Sequence, residues 1–168
     1  MFYFLRLQKN NTKKITFLFV FFSMFGYSQT PITDANIQTA INTCLSTKPE
    51  DGMCSESEYG IMPEWDVSQV TNISNAFLGK TDFNGDINGW DVSNVTNMTC
   101  MFLEVGSFNK DVSDWNESSV TNMNDLFANT TAFNKPMGDW DVRNVTNMTS
   151  MFQGASSFNG GYKFLGCE

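Results

Sequence analysis

Four tryptophans, Trp65, Trp90, Trp115 and Trp140, stand 25 residues apart, and no other feature of the chain restricts its fold so narrowly. The register holds without insertion at Val70, Val95, Val120 and Val145, at Phe77, Phe102, Phe127 and Phe152, and at Phe83, Phe108, Phe133 and Phe158. A single copy of this length has no second layer on which to bury its apolar side. Stacking the copies sets each Trp, Val, Met and Phe on its equivalent in the next, so the expected architecture is a solenoid with a continuous core.

Within a copy, Val95, Met98, Met101 and Phe102 fall at helical spacing, and Thr96 is placed to cap a short helical turn. The stretch at 83–87, FNGDI, alternates, and as a short strand it would pair in parallel with FNKDV at 108–112. The class expected is therefore an α/β repeat solenoid with short parallel strands and short helical turns. Pro136 in the third copy opposes the strand, because it has no N–H to donate. Asn84, Asn109, Asn134 and Asn159 follow the second Phe of every copy, where a side-chain amide can satisfy backbone groups in the bends.

Ahead of the copies, residues 29–64 differ in composition and read as an N-terminal helical cap. Ile37, Ala40, Ile41, Cys44 and Leu45 make an apolar stripe at helical spacing, with Thr33 and Asp34 placed to cap that helix. Cys44 and Cys54 flank the turn-rich KPEDGM, which predicts a local disulfide worth about 3 kcal/mol. Cys100 and Cys167 lie more than two periods apart, too far to bridge in a stack, and read as small buried residues, with Cys167 also open to pairing between chains. Residues 65–168 hold the four copies and, from Gly160, Gly161 and Tyr162, the start of a fifth, as in a shortened copy of a longer array.

Residues 1–28 read as a secretory signal peptide: Arg6, Lys9, Lys13 and Lys14, an apolar run of 11 residues from Ile15 to Phe25, then small residues up to a cut after Ser28. A membrane-spanning helix needs about 20 apolar residues, so no span is expected after cleavage, and the location expected is secreted or cell-surface. Removing 28 of 168 residues leaves 140, with 6 basic residues against 18 acidic ones and a net charge near −12. Nucleic acid is therefore not an expected partner, since phosphate contacts depend on Lys and Arg. Export also places the cysteines in an oxidising compartment.

WDVSQVTNISNAF, WDVSNVTNMTCMF and WDVRNVTNMTSMF, together with the signal peptide and the lead-in EYGIMPEWDVS, closely resemble the BspA-like leucine-rich repeat surface proteins. The same unit occurs in mycoplasma-type surface lipoproteins and in a bacterial surface-protein repeat of nearly this length. The resemblance spans residues 32–162 and implies a right-handed, leucine-rich-repeat-like coil displayed outside the cell for adhesion or protein binding. The sequence departs from the pattern at Asn116 and Glu117, where other copies carry Asp and Val, and at Pro136, so the third coil is expected to be locally irregular.

The chain has no His, which removes the commonest general base, the usual triads and most zinc sites. A carboxylate pair of the glycosidase type, Asp86 with Asp111 or Asp66 with Asp91, is the remaining catalytic option. Those residues recur with the repeat, whereas a catalytic pair needs two different environments, so no enzyme and no cofactor is expected. Asp66, Asp91 and Asp141 could ligate calcium between coils, but turn capping is the preferred reading.

The function expected is binding of a protein or glycan at a cell surface. A structural spacer without a ligand is the alternative, and a glycoside hydrolase a remote one. The contact surface is sought among positions that vary between copies: Gln69, Asn94, Ser119 and Asn144 before the fixed Val, and Lys80, Val105, Thr130 and Ala155 beyond the first Phe.

Overall fold

Asp and Asn bend the repeated copies by accepting the N–H two residues further on: Asp66 from Ser68, Asn72 from Ser74, Asp91 from Ser93, Asn97 from Thr99. Such side-chain closures compete with helix and strand, and here they win. A computed structural model describes residues 29–137 and 140–159. The signal-peptide reading of residues 1–28, and the readings of Gly160, Gly161, Tyr162 and Cys167, lie outside the described residues.

The expected α/β repeat solenoid is corrected. Among the described residues there is one α-helix, α1 (Ile37–Leu45), one 3-10 turn (Met62–Glu64) and no strand. Parallel pairing is reduced to single bridges, Asn72 with Asn97, Asn97 with Asn122 and Asn122 with Asn147. These lie in the Val-Thr-Asn segment rather than between residues 83–87 and 108–112. The leucine-rich-repeat form that the resemblance implied, with its strands and helical turns, is therefore not what the copies adopt.

The backbone explains why. Asn75, Cys100, Asp125 and Ser150 hold φ of 60°, 55°, 54° and 55°. A left-handed residue at this point ends any helix begun at Val95, and the same residue cannot continue an extended strand. Every second peptide unit then points along the stack: the N–H groups of Met98, Cys100, Phe102 and Glu104 donate to the carbonyls of Asn122, Asn124, Leu126 and Ala128. The peptides between them close tight turns, as from Met101 back to Met98. Four such axial bonds recur between copies one and two and between three and four. The apolar residues at helical spacing face inward because turns of three residues bring them there.

Two further features lock the register. Thr96, Thr121 and Thr146 each donate both N–H and hydroxyl to the carbonyl of the Thr 25 residues earlier. Asn84, Asn109 and Asn134 accept, through Oδ1, the N–H of Asn109, Asn134 and Asn159 at 3.0, 2.9 and 3.0 Å. The structural role read from the Asn ladder is thus observed. It also means that a side chain, not a strand, joins these segments, so Pro136 leaves the Asn ladder intact, although its side chain carries no acceptor to replace Asp86 and Asp111, which take the N–H of Asn88 and Ser113 in the first two copies.

The core is a set of ring stacks. Phe102 lies 5.4 Å from Phe77 and 5.3 Å from Phe127, centroid to centroid, and 4.1 Å from Phe108 within its own copy. Trp65 stacks on Trp90 and Trp115 on Trp140, while the indole N–H groups of Trp90, Trp115 and Trp140 reach the carbonyls of Met62, Ile87 and Val112. Phe83, Phe108 and Phe133 form a parallel column that continues to Phe158. All but the outermost Phe152 and Phe158 are buried, so the burial itself supplies most of the attraction between copies.

At the other end, the lead-in replaces the bonds of a missing copy. Asp34, expected to cap α1, instead accepts the N–H groups of Thr71 and Asn72 and the Thr71 hydroxyl. It stands where a preceding Thr carbonyl would be. Gln38 on α1 donates to the Ala76 carbonyl, and the Glu50 carbonyl accepts from Asn84. Asn36 stands immediately before α1 and accepts the N–H of Thr33 through Oδ1, and the helix buries Ile37, Ala40, Ile41, Cys44 and Leu45. The Cys44–Cys54 disulfide ties the end of α1 to the following loop, with Cα atoms 5.2 Å apart.

Candidate interaction face

The axial arm of each copy, residues 74–79, 99–104, 124–129 and 149–154, has an invariant backbone and a changing exterior. A second left-handed residue closes each arm: Gly79, Glu104, Asn129 and Gly154, at φ of 69°, 63°, 57° and 73°. Glycine and asparagine adopt this conformation readily. Cys100, Glu104 and Ser150 do not, at a cost of about 1–2 kcal/mol each, which at Cys100 and Glu104 the N–H bonds to the Asn124 and Ala128 carbonyls of the next copy offset.

Between those residues the inward positions stay apolar, as Ala76, Met101, Leu126 and Met151 beside Phe77, Phe102, Phe127 and Phe152. The outward ones differ from copy to copy. Asn75, Cys100, Asp125 and Ser150 form one column; Leu78, Leu103 and Gln153 form the next, which Ala128 interrupts because it is buried. Leu78 is 42% exposed, unusual for a large apolar side chain in this chain, and Leu103 beside it is half-buried. Glu104 and Asp125 add negative charge. Cys100, expected to be buried, is half-buried with a free thiol; burial, and then the charge of Asp125, push that thiol upward from its ordinary value.

The residues proposed from sequence variation divide. Gln69, Asn94 and Asn144 are exposed and Ser119 is half-buried, forming one column, in which Asn94 and Asn144 donate to the carbonyls of Ser68 and Ser118. In the other row only Lys80 reaches solvent. Val105, Thr130 and Ala155 are buried, with the Thr130 hydroxyl donating to the Phe102 carbonyl, so that row varies inside the core. The two rows do not make one surface. The outward columns of the axial arm were missed, although their changes from copy to copy are visible in the sequence.

Asp66, Asp91 and Asp141 act as turn acceptors. Ser68 and Ser93, through hydroxyl and N–H, hold Asp66 and Asp91 below the usual carboxylate range. Arg143 pairs with Asp141 at 2.6 Å and lowers it to about 2. Asp111 is lowered likewise, by the N–H and hydroxyl of Ser113. No group of three or more potential metal-binding side chains occurs among the described residues. Asp86 and Asp111 occupy exposed turns, and a shallow groove lined by Glu50, Asp51, Asp82, Asn84 and Ser107 lies where the lead-in meets the first two copies. Among the described residues no helix is long and apolar enough to cross a membrane.

A family model described as Mycoplasma protein of unknown function, DUF285, matches residues 52–164. The chain belongs to this family. The match begins two residues before Cys54 and spans all four copies, and it agrees with the mycoplasma-type part of the resemblance drawn from the Trp-Asp-Val and Val-Thr-Asn motifs. No curated protein and no solved structure matches the chain.

Proposed function

We propose that this protein of the DUF285 family is a binding module displayed outside the cell, and that it docks another protein through the outward columns of the axial arms. One observation carries the reading: the copies repeat one hydrogen-bonded backbone while most of the side chains it presents to solvent change from copy to copy, as at Asn75, Cys100, Asp125 and Ser150. Such a frame separates folding from recognition, as repeat proteins with a variable face do. Strained left-handed residues that are not glycine gather on this face, which is where functional surfaces tend to store strain.

A protein partner is favoured over a glycan because, among the described residues, the Trp rings and the inner Phe rings are buried in the ladders and are not open to stack on a sugar. Leu78 and Leu103 offer apolar anchors, flanked by Glu104 and Asp125, which suit a partner with apolar and basic groups. Export is supported by the leader-like residues 1–28 and by the Cys44–Cys54 disulfide. The likeness to mycoplasma-type surface lipoproteins points the same way. Catalysis and nucleic-acid binding have no support in the recurring carboxylates or in the acidic charge.

The chain from Gln29, immobilised and screened on arrays of purified surface proteins and of glycans, tests the reading. Protein binders are expected whose affinity falls at least tenfold with Leu78→Ser, Leu103→Ser and Gln153→Ala combined, and not with Lys110→Ala. Binders indifferent to the face, or none at all, would favour the spacer.

A further inference from the structure

Glu117 stands where Val67, Val92 and Val142 stand in the other copies, two residues after the Trp. It is 2% exposed, as buried as those core valines of the first two copies. Its Oε1 accepts the N–H of Asp141 in the next copy, and its Oε2 has no partner among the described residues. A valine cannot make this bond, so the carboxyl adds a link between copies three and four that the other copies lack.

The two protonation states of this carboxyl differ in consequence. The neutral acid can accept from Asp141 with one oxygen and carry its proton on the other, so that no charge is buried. The carboxylate buries a charge with one of its two oxygens unpartnered. Asp141 is the charged group that reaches it among the described residues. It is itself an anion, paired on the solvent side with Arg143, so it opposes ionisation rather than compensating it.

We propose that Glu117 is a pH-sensitive latch on the fourth copy, closed as the neutral acid and loosened on ionisation. Burial first, and then the Asp141 charge, push the carboxyl above its ordinary value, while the N–H groups facing it oppose the rise. A group raised in the folded state contributes stability that is complete below its unfolded value of about 4.3 and is lost as pH rises through the folded value. Acidification therefore tightens the junction between copies three and four, and neutral pH weakens it. Asp34, Asp66, Asp91, Asp111 and Asp141 are lowered and act below this window, with the opposite sign.

Amide hydrogen exchange of the chain from Gln29, corrected for intrinsic rates, reads the latch. The amides of Asp125, Phe127 and Asn129 bond across the third junction, and those of Asn75, Phe77 and Gly79 across the first. Between pH 4.5 and 7.5, protection at the third junction is expected to fall at least tenfold relative to the first. In Glu117→Gln and Glu117→Val it is expected to change in parallel with the first; Val is the residue that other copies already accommodate. Equal pH dependence at both junctions of the unaltered chain, or its persistence in Glu117→Gln, would overturn the proposal.

Discussion

Replacing Phe102 by Ala tests whether ring columns hold the copies together. Phe102 is fully buried and touches rings on three sides, Phe77 at 5.4 Å, Phe127 at 5.3 Å and Phe108 at 4.1 Å. Truncating a buried Phe costs about 3–5 kcal/mol, a figure that already contains the lost ring contacts. The neighbouring rings are fixed by the axial bonds on both sides, so the cavity collapses little and the cost should lie near 4 kcal/mol. Phe152 gives the comparison. It is half-buried, with Phe127 at 5.6 Å and Phe158 at 4.0 Å, so its truncation should cost about half as much. In urea, with a slope of about 2 kcal/mol/M, the midpoint should drop by about 2 M for Phe102→Ala and about 1 M for Phe152→Ala. Equal shifts, or a Phe102→Ala shift below about 0.7 M, would refute the stacked-column account.

Asp34→Ala should cost about 1 kcal/mol at pH 7, the loss of a cap for two N–H groups, measured by urea midpoint. The Thr71 hydroxyl, helped by the N–H groups of Asn72 and Thr71, lowers the Asp34 carboxyl. Its contribution is therefore present above about pH 3.9 and lost as pH falls through the lowered value, and the two chains should converge in acid. Reducing Cys44–Cys54 should lower stability by about 3 kcal/mol and expose α1 first, seen as faster exchange at Ile41 and Cys44 than at Phe102.

The ring columns, the disulfide and the Asn ladder could be read from the sequence because each depends on which side chain recurs. The backbone path could not. Val95, Met98 and Met101 carry the spacing of a helix, and the left-handed turn at Cys100 that defeats it is imposed by carbonyls of the adjacent copy, not by any local preference of cysteine. Asp34 misled for a similar reason: it stands at a helix start, yet its partners are Thr71 and Asn72, far along the chain. Variation at Lys80, Val105, Thr130 and Ala155 suggested exposure, whereas a buried slot accepts Val, Ala or a Thr whose hydroxyl finds a carbonyl.

The peptide units aligned along the stack decide whether the outward columns form one face, and trans-hydrogen-bond scalar couplings detect them pair by pair. Couplings are expected from the N–H of Met98, Cys100 and Phe102 to the carbonyls of Asn122, Asn124 and Leu126. Couplings from those N–H groups to carbonyls four residues earlier would mean helical copies, and the interaction face would fall with them.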